Sequence, residues 1–125
     1  MRIFLTEGFD EFIHYVGICD ELIKSVAHEV DQGLIDGDLG GPLKKKRIAL
    51  PATGKRGGAR SIICVRKNDC LFFLDGWRKK DTPKKGKEIP EKAINIYRLI
   101  GNQFLSFTEL ELEKAISSGI LREVK

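Results

Sequence analysis

Hydrophobic positions along the chain fall first into helical spacing and then into extended alternation. Arg2 to Leu5 predicts a short edge strand, and Asp10 to Val16 the start of a helix. Asp20 to Gln32 carries Leu22, Ile23, Val26 and Val30 at helical spacing, with Asp20 placed as an N-cap and Gly33 as a stop signal. A loop rich in Gly and Asp, Asp36 to Pro42, separates this region from a change of period. Beyond it the sequence predicts a strand at Arg47 to Leu50, a Gly-rich loop at Gly54 to Gly58, and two strands flanking Lys67-Asn68-Asp69. Ile89-Pro90-Glu91 opens a further helix with Ala93, Ile94, Tyr97 and Ile100 on one face. Thr108 and Glu111 have the spacing of a capping box for a last helix to Ser117, and Ile120 to Val124 predicts a terminal strand. The order implies an α+β domain spanning residues 1–125, a small antiparallel sheet with helices packed on one face.

The hairpin permits a register to be written in advance. A two-residue turn at Asn68-Asp69 pairs Lys67 with Cys70, and with it Ile63 with Leu74 and Val65 with Phe72 on one apolar face. The opposite face then carries Cys64 with Phe73, Ile62 with Asp75, and Arg60 directly across from Trp77. Lys79 joins that face if the strand continues. On this register Arg60 points away from the core and contributes little to it.

Charge changes the picture. From Leu43 to Lys87 there are 15 Lys or Arg against three Asp, a local net charge of +12, whereas the remainder carries −8. Such asymmetry suits a polyanion, because Lys and Arg neutralise phosphates and release counterions. Basic side chains beside an exposed aromatic suit single-stranded RNA, whose bases stack on a ring while cations hold the backbone. The residues expected to bind RNA are Lys46, Arg47, Arg56, Trp77, Arg78 and Lys80. Gly57-Gly58 lets the backbone approach a phosphate, although GKRGGAR lacks the spacing of a nucleotide-binding P-loop.

Other chemistry is sparse. His14 and His28 lie in the N-terminal helical region, far in sequence from the basic segment, and no HExxH, paired-carboxylate or Ser-His-Asp pattern occurs. Cys19, Cys64 and Cys70 have no CxxC spacing; they are read as buried thiols, without disulfide or zinc. No metal and no cofactor is expected. No apolar run approaches the roughly 20 residues of a membrane span, and the N-terminus lacks a signal-peptide pattern, so a cytoplasmic location is expected. A nuclease of this composition would draw its base from crowded lysines, whose mutual repulsion favours the neutral amine, and would stabilise phosphate charge with arginine.

Several linked motifs carry a resemblance. Gly33-Leu34-Ile35-Asp36, Asp38-Leu39-Gly40-Gly41, Lys45-Lys46-Arg47-Ile48-Ala49, Gly54-Lys55-Arg56-Gly57-Gly58-Ala59-Arg60 and Phe72-Phe73-Leu74-Asp75-Gly76-Trp77 resemble, in this order, the HigB-like branch of the RelE/ParE toxin superfamily. The resemblance implies a microbial-RNase-like fold and a type II toxin that inhibits translation by cleaving mRNA on the ribosome without metal. It also implies a cognate antitoxin, commonly of helix-turn-helix type, as partner. Carried over by position, Arg60 holds the transition-state phosphate, Lys55 or Lys79 transfers a proton, and Trp77 stacks a base. Three positions depart from the family pattern: Ala59 stands for an aromatic, Leu50-Pro51 for an Arg-Pro-type entry, and the Pro- and Lys-rich Lys80 to Lys87 for a polar segment. Two alternatives stay open: a ParE-like inhibitor of gyrase with no nuclease activity, and a nucleic-acid-binding relative that has lost activity.

Overall fold

A computed structural model describes residues 1–50, 57–67, 69–82 and 88–125. The elements are β1 (Arg2–Thr6), α1 (Glu7–Val16), α2 (Asp20–Asp31), β2 (Gly37–Asp38), β3 (Leu43–Leu50), β4 (Gly58–Arg66), β5 (Cys70–Arg78), a 3-10 turn (Lys79–Asp81), α3 (Glu91–Leu105), α4 (Glu109–Ser117) and β6 (Leu121–Val124). The strands form one six-stranded sheet in the order β2-β3-β4-β5-β1-β6. The α+β class follows as expected, and the pairing is antiparallel except between β1 and β5, which run parallel.

Strand β1 is not an edge. It lies between β5 and β6, and Phe4 and Leu5 are fully buried on its two sides. Successive strand residues point to opposite faces, so these neighbours enter different cores. Leu5 joins Phe9, Ile13, Ile23, Val26, Ile63 and Phe73, under α1 and α2. Phe4 joins Ile62, Cys64, Phe72, Phe104 and Leu112, under α3 and α4. The helices therefore cover both faces of the sheet rather than the single face expected. The reason is legible in β5, where Cys70 to Leu74 is a continuous apolar run with all five residues buried. An uninterrupted run of this kind requires apolar cover on both sides.

Each helix starts on a local signal. Thr6 Oγ1 accepts from the Phe9 N–H at 3.2 Å and caps α1, extending it upstream of the expected Asp10 start. Cys19, not Asp20, holds the N-cap position of α2. Asp20 is the first helical residue, and its carboxylate accepts from both terminal nitrogens of Arg122 on β6 at 2.9 Å. Arg122 also donates to Asp10 of α1, so one guanidinium ties the C-terminal strand to the first two helices. The capping box of α4 forms as predicted, between Thr108 and Glu111. Among the described residues no helix is long and apolar enough to cross a membrane.

The β4–β5 ladder carries one irregularity. Arg66 pairs with Cys70, Val65 with Leu71, Cys64 with Phe72 and Ile63 with Phe73. Leu74 is then the extra residue of a β-bulge, after which Ile62 pairs with Asp75 and Arg60 with Trp77. The expected two-residue turn is thus one residue too short, and the expected pairs of Ile63, Cys64 and Val65 are each displaced by one. The bulge cancels the displacement before Arg60, so the Arg60–Trp77 pair stands.

Gly76 follows the bulge and packs directly against side chains of α1. A Cβ there would sit 2.8 Å from Phe12 and 2.9 Å from Phe9. Gly76→Ala is expected to destabilise the fold by about 1–3 kcal/mol through overpacking; an unchanged urea midpoint would contradict this packing. The Arg122 clip adds an acid-sensitive term. Its guanidinium, chiefly by hydrogen bonding, holds Asp20 below the ordinary carboxyl value of 3.8. The stabilisation is present above that value and is lost as pH falls through the lower folded one. Both groups are partly exposed, so Arg122→Ala should cost no more than about 1 kcal/mol per pair at neutral pH. The loss should shrink at pH 3, in paired urea titrations.

Candidate RNA-binding cleft

The register assembles three side chains into one row. Arg47 of β3 pairs with Arg60 of β4, and Arg60 with Trp77 of β5, so all three lie on the face covered by α3. The next row on that face is Lys45, Ile62 and Asp75. Glu88, just before α3, reaches this ground. Its carboxylate lies 3.2 Å from Lys45 Nζ and 3.7 Å from Arg60 Nε. Tyr97 of α3 donates a short hydrogen bond from its hydroxyl to Asp75 Oδ2. Burial above all, and then that bond, raise the Tyr97 phenol well above its ordinary value, so it stays protonated at neutral pH. Beside the row lies a cleft of about 250 Å³, whose lining includes Trp77, Asp81, Thr82, Glu88, Ile89 and Tyr97.

Arg60 stands on the expected face, but that face is roofed. Its side chain is only 4% exposed, and Nη1 donates to its own neighbour's carbonyl, Ala59 O, at 3.3 Å. Replacement by Ala would therefore not be a surface change: it would strip a buried cation from Glu88. Arg47, beside it, is exposed. Trp77 is half-buried and packs at the edge of the cluster under α3.

The remaining expected site residues are scattered. Lys46 points to the opposite face, toward α2, where its buried ammonium donates to Leu34 O at 2.6 Å and pairs with Glu29 at 3.0 Å. That placement removes it from any RNA-facing surface. Arg78 also faces the α1 side: it lies 5.2 Å from the Tyr15 ring centroid and pairs with Asp81 at 2.9 Å. Strand β5 ends at Arg78, so Lys79 does not continue the Trp77 face as a strand residue. Lys79 and Lys80 are exposed in the 3-10 turn, which borders the cleft through Asp81 and Thr82. Lys55 and Arg56 lie outside the described residues. Ala59 is buried with Ile48 and Ile63 on the α1/α2 side, so its departure from the family's aromatic alters that core and not the row.

The basic block is therefore not one surface. Lys44 pairs with Asp38, Lys45 with Glu88, Lys46 with Glu29, Arg66 with Asp69 and Arg78 with Asp81. Arg66 in addition donates to the carbonyls of Phe104 and Phe107 at the end of α3, a structural role. Cys64 and Cys70 are buried thiols, pushed up to about 11 mainly by burial, while Cys19 is exposed, contrary to expectation. Among the described residues no group of three or more His, Cys, Asp or Glu is placed to hold a metal ion.

Glu88 and Tyr97 of the cleft, and Lys45 and Asp75 of the adjoining row, are the residues that sequence reasoning missed. The helical spacing places Tyr97 on an apolar helix face, and nothing in it links Glu88 to Arg60. Because Lys46 serves the fold, Lys46→Ala is expected to lower stability by about 2 kcal/mol, the cost of breaking a charged hydrogen bond at a buried site. A thermal melt matching the parent would return Lys46 to the list of available cations.

A search of curated proteins finds no match. The family model for the RelE toxin of the RelE/RelB toxin–antitoxin system matches residues 1–124. The match covers every described element, and the chain belongs to the RelE toxin family.

Proposed function

We propose that this toxin, of the HigB-like branch, is a ribosome-dependent endoribonuclease that cleaves mRNA and so inhibits translation. The observation that carries the reading is the cross-strand row of Arg47, Arg60 and Trp77 beside an aromatic-lined cleft. Arg47, at the surface, receives a phosphate of single-stranded RNA, and Trp77 supplies a ring for a base. Arg60 between them in the row is held against Glu88; we assign it to the charge that gathers on the scissile phosphate, which requires the buried guanidinium to be uncovered when RNA binds.

In the reaction the 2′-oxygen attacks the adjacent phosphorus, its proton passes to a base, and the P–O5′ bond breaks. The 5′-oxygen leaves with a proton from an acid. The products are a 2′,3′-cyclic phosphate and a 5′-hydroxyl end, so atoms balance without water or an oxidant. Proton transfer is assigned to Lys79, in the turn that borders the cleft, or to Lys55. Tyr97 is unsuited to the base role, since it is held protonated by burial and by Asp75. The membership implies a cognate antitoxin, which we assign to the helix-turn-helix type; an acidic segment of it would mask the cations of this face. Cleavage is expected to survive EDTA.

The ParE-like and inactive readings gain no specific support from the cleft, because neither requires the row of Arg47, Arg60 and Trp77. Arg60→Lys separates catalysis from folding better than Arg60→Ala, since it keeps the charge against Glu88 and loses the planar fork. Single-turnover cleavage of mRNA in a programmed ribosome should fall by about 100-fold or more, with a melting temperature within a few degrees of the parent. Parental cleavage by a normally folded Arg60→Lys protein would take Arg60 out of the active site.

A further inference from the structure

We infer that Lys45 and Arg60 form a phosphate site and that the Glu88 carboxylate plugs it, holding the place an RNA phosphate takes when the protein acts; the inference rests on the RNA-cleaving reading of the same face. Lys45 pairs with Ile62 and Arg47 with Arg60, so Lys45 and Arg60 are diagonal neighbours on one face of adjacent strands. Two cations held that close repel each other, and the field between them suits an anion. Glu88 supplies one. Its Oε1 lies 3.2 Å from Lys45 Nζ and its Oε2 3.7 Å from Arg60 Nε, one carboxylate oxygen toward each cation.

The fit of that carboxylate is what makes it displaceable. The approach to Arg60, at 3.7 Å, exceeds hydrogen-bond length, and Oε1 makes no hydrogen bond despite its closeness to Lys45. Glu88 therefore gains charge attraction without the paired N–H···O bonds that make a guanidinium contact strong. The structural ion pair on the opposite face of β3 is built differently: Lys46 stands 3.0 Å from Glu29 and donates to Leu34 O at 2.6 Å. The layering also differs from that of a core pair. Arg60 is 4% exposed and Glu88 27%, so the acid is the outer partner and the guanidinium the inner one.

A phosphodiester carries one negative charge, and exchanging it for the carboxylate leaves the charge between the two cations unchanged. It also offers oxygens to the donors that Glu88 does not engage. The displaced carboxylate turns to water, where an ion is well solvated. Arg60 is thereby uncovered at the moment the reaction needs it. Until then the apparent affinity for RNA is lowered by the fraction of molecules in which the plug is out.

Glu88→Gln keeps the shape of the side chain and removes its charge. Were Glu88 only a counterion, its loss would leave buried cations unpaired, and stability and cleavage would fall together. Loss of a plug raises cleavage instead. Single-turnover cleavage at subsaturating programmed ribosomes should rise about tenfold or more over the parent. Glu88→Asp, a methylene too short to span both cations, should gain in the same direction by less, and it decides the matter if Glu88→Gln does not fold. Glu91→Gln makes the same change of charge at an exposed residue in the first turn of α3 and should stay near the parental rate. A single-stranded oligodeoxynucleotide, which lacks the 2′-hydroxyl and is not cut, gives a second readout through the fluorescence of Trp77, the sole tryptophan. It should bind Glu88→Gln about tenfold tighter than the parent or Glu91→Gln. Parental or lower rates and affinities in both Glu88 variants, or an equal gain in Glu91→Gln, would overturn the plug and leave the nuclease reading standing. Tighter binding by Glu88→Gln with no mRNA cut by any of the proteins would overturn the nuclease reading and leave the plug.

Discussion

Burial of both faces of the β4–β5 ladder is the constraint on which the rest of the structure depends. With Ile63 and Phe73 committed to one core and Ile62, Cys64 and Phe72 to the other, a slip of one residue would exchange the two sets and expose neither face to water without loss. The ladder is held in that register by apolar contacts on each side, including the stacked pairs Phe9–Phe73 and Phe72–Phe104. Everything in the cleft is then a consequence of position. Arg60 and Trp77 are opposite one another because the bulge at Leu74 restores the register just before they are reached.

The same constraint explains why an arginine can be buried there. Helix α3 must cover Cys64, Phe72 and Leu74, and the segment that starts it carries Glu88 over the row. Charge pairing with Glu88 offsets the desolvation of Arg60 and Lys45, and Tyr97 is anchored in turn by Asp75 one row away. The core on one side and the cleft on the other thus share one helix. A change that shifts α3 would be felt by the charged cluster and by Phe104 together.

Much of this was legible in the sequence because it is local. The capping box at Thr108, the helical face of α2 and the strand-helix order depend on spacings of a few residues, whereas the Arg60–Trp77 pair stands only because the bulge offsets a turn one residue longer than the spacing suggests. The family motifs likewise run along the chain. What escaped is set by contacts between distant segments. The parallel β1–β5 pairing, the turn of Lys46 toward Glu29, and the arrival of Glu88 at Arg60 have no periodic signature. The +12 segment is a warning of the same kind: alternation in β3 sends its lysines to both faces, and sequence clustering did not become one surface. The helix cover on both faces was available in the five-residue apolar run of β5, which a period-two reading of the hairpin obscured.

The central claim is that this face acts on mRNA. Induction of the chain alone in a bacterial host, followed by mapping of mRNA 5′ ends, addresses it directly. The account predicts growth arrest with new 5′-hydroxyl ends inside translated codons, and their loss when Arg60→Lys is induced to the same level. Arrest with intact mRNA, or the same ends from both proteins, would contradict it.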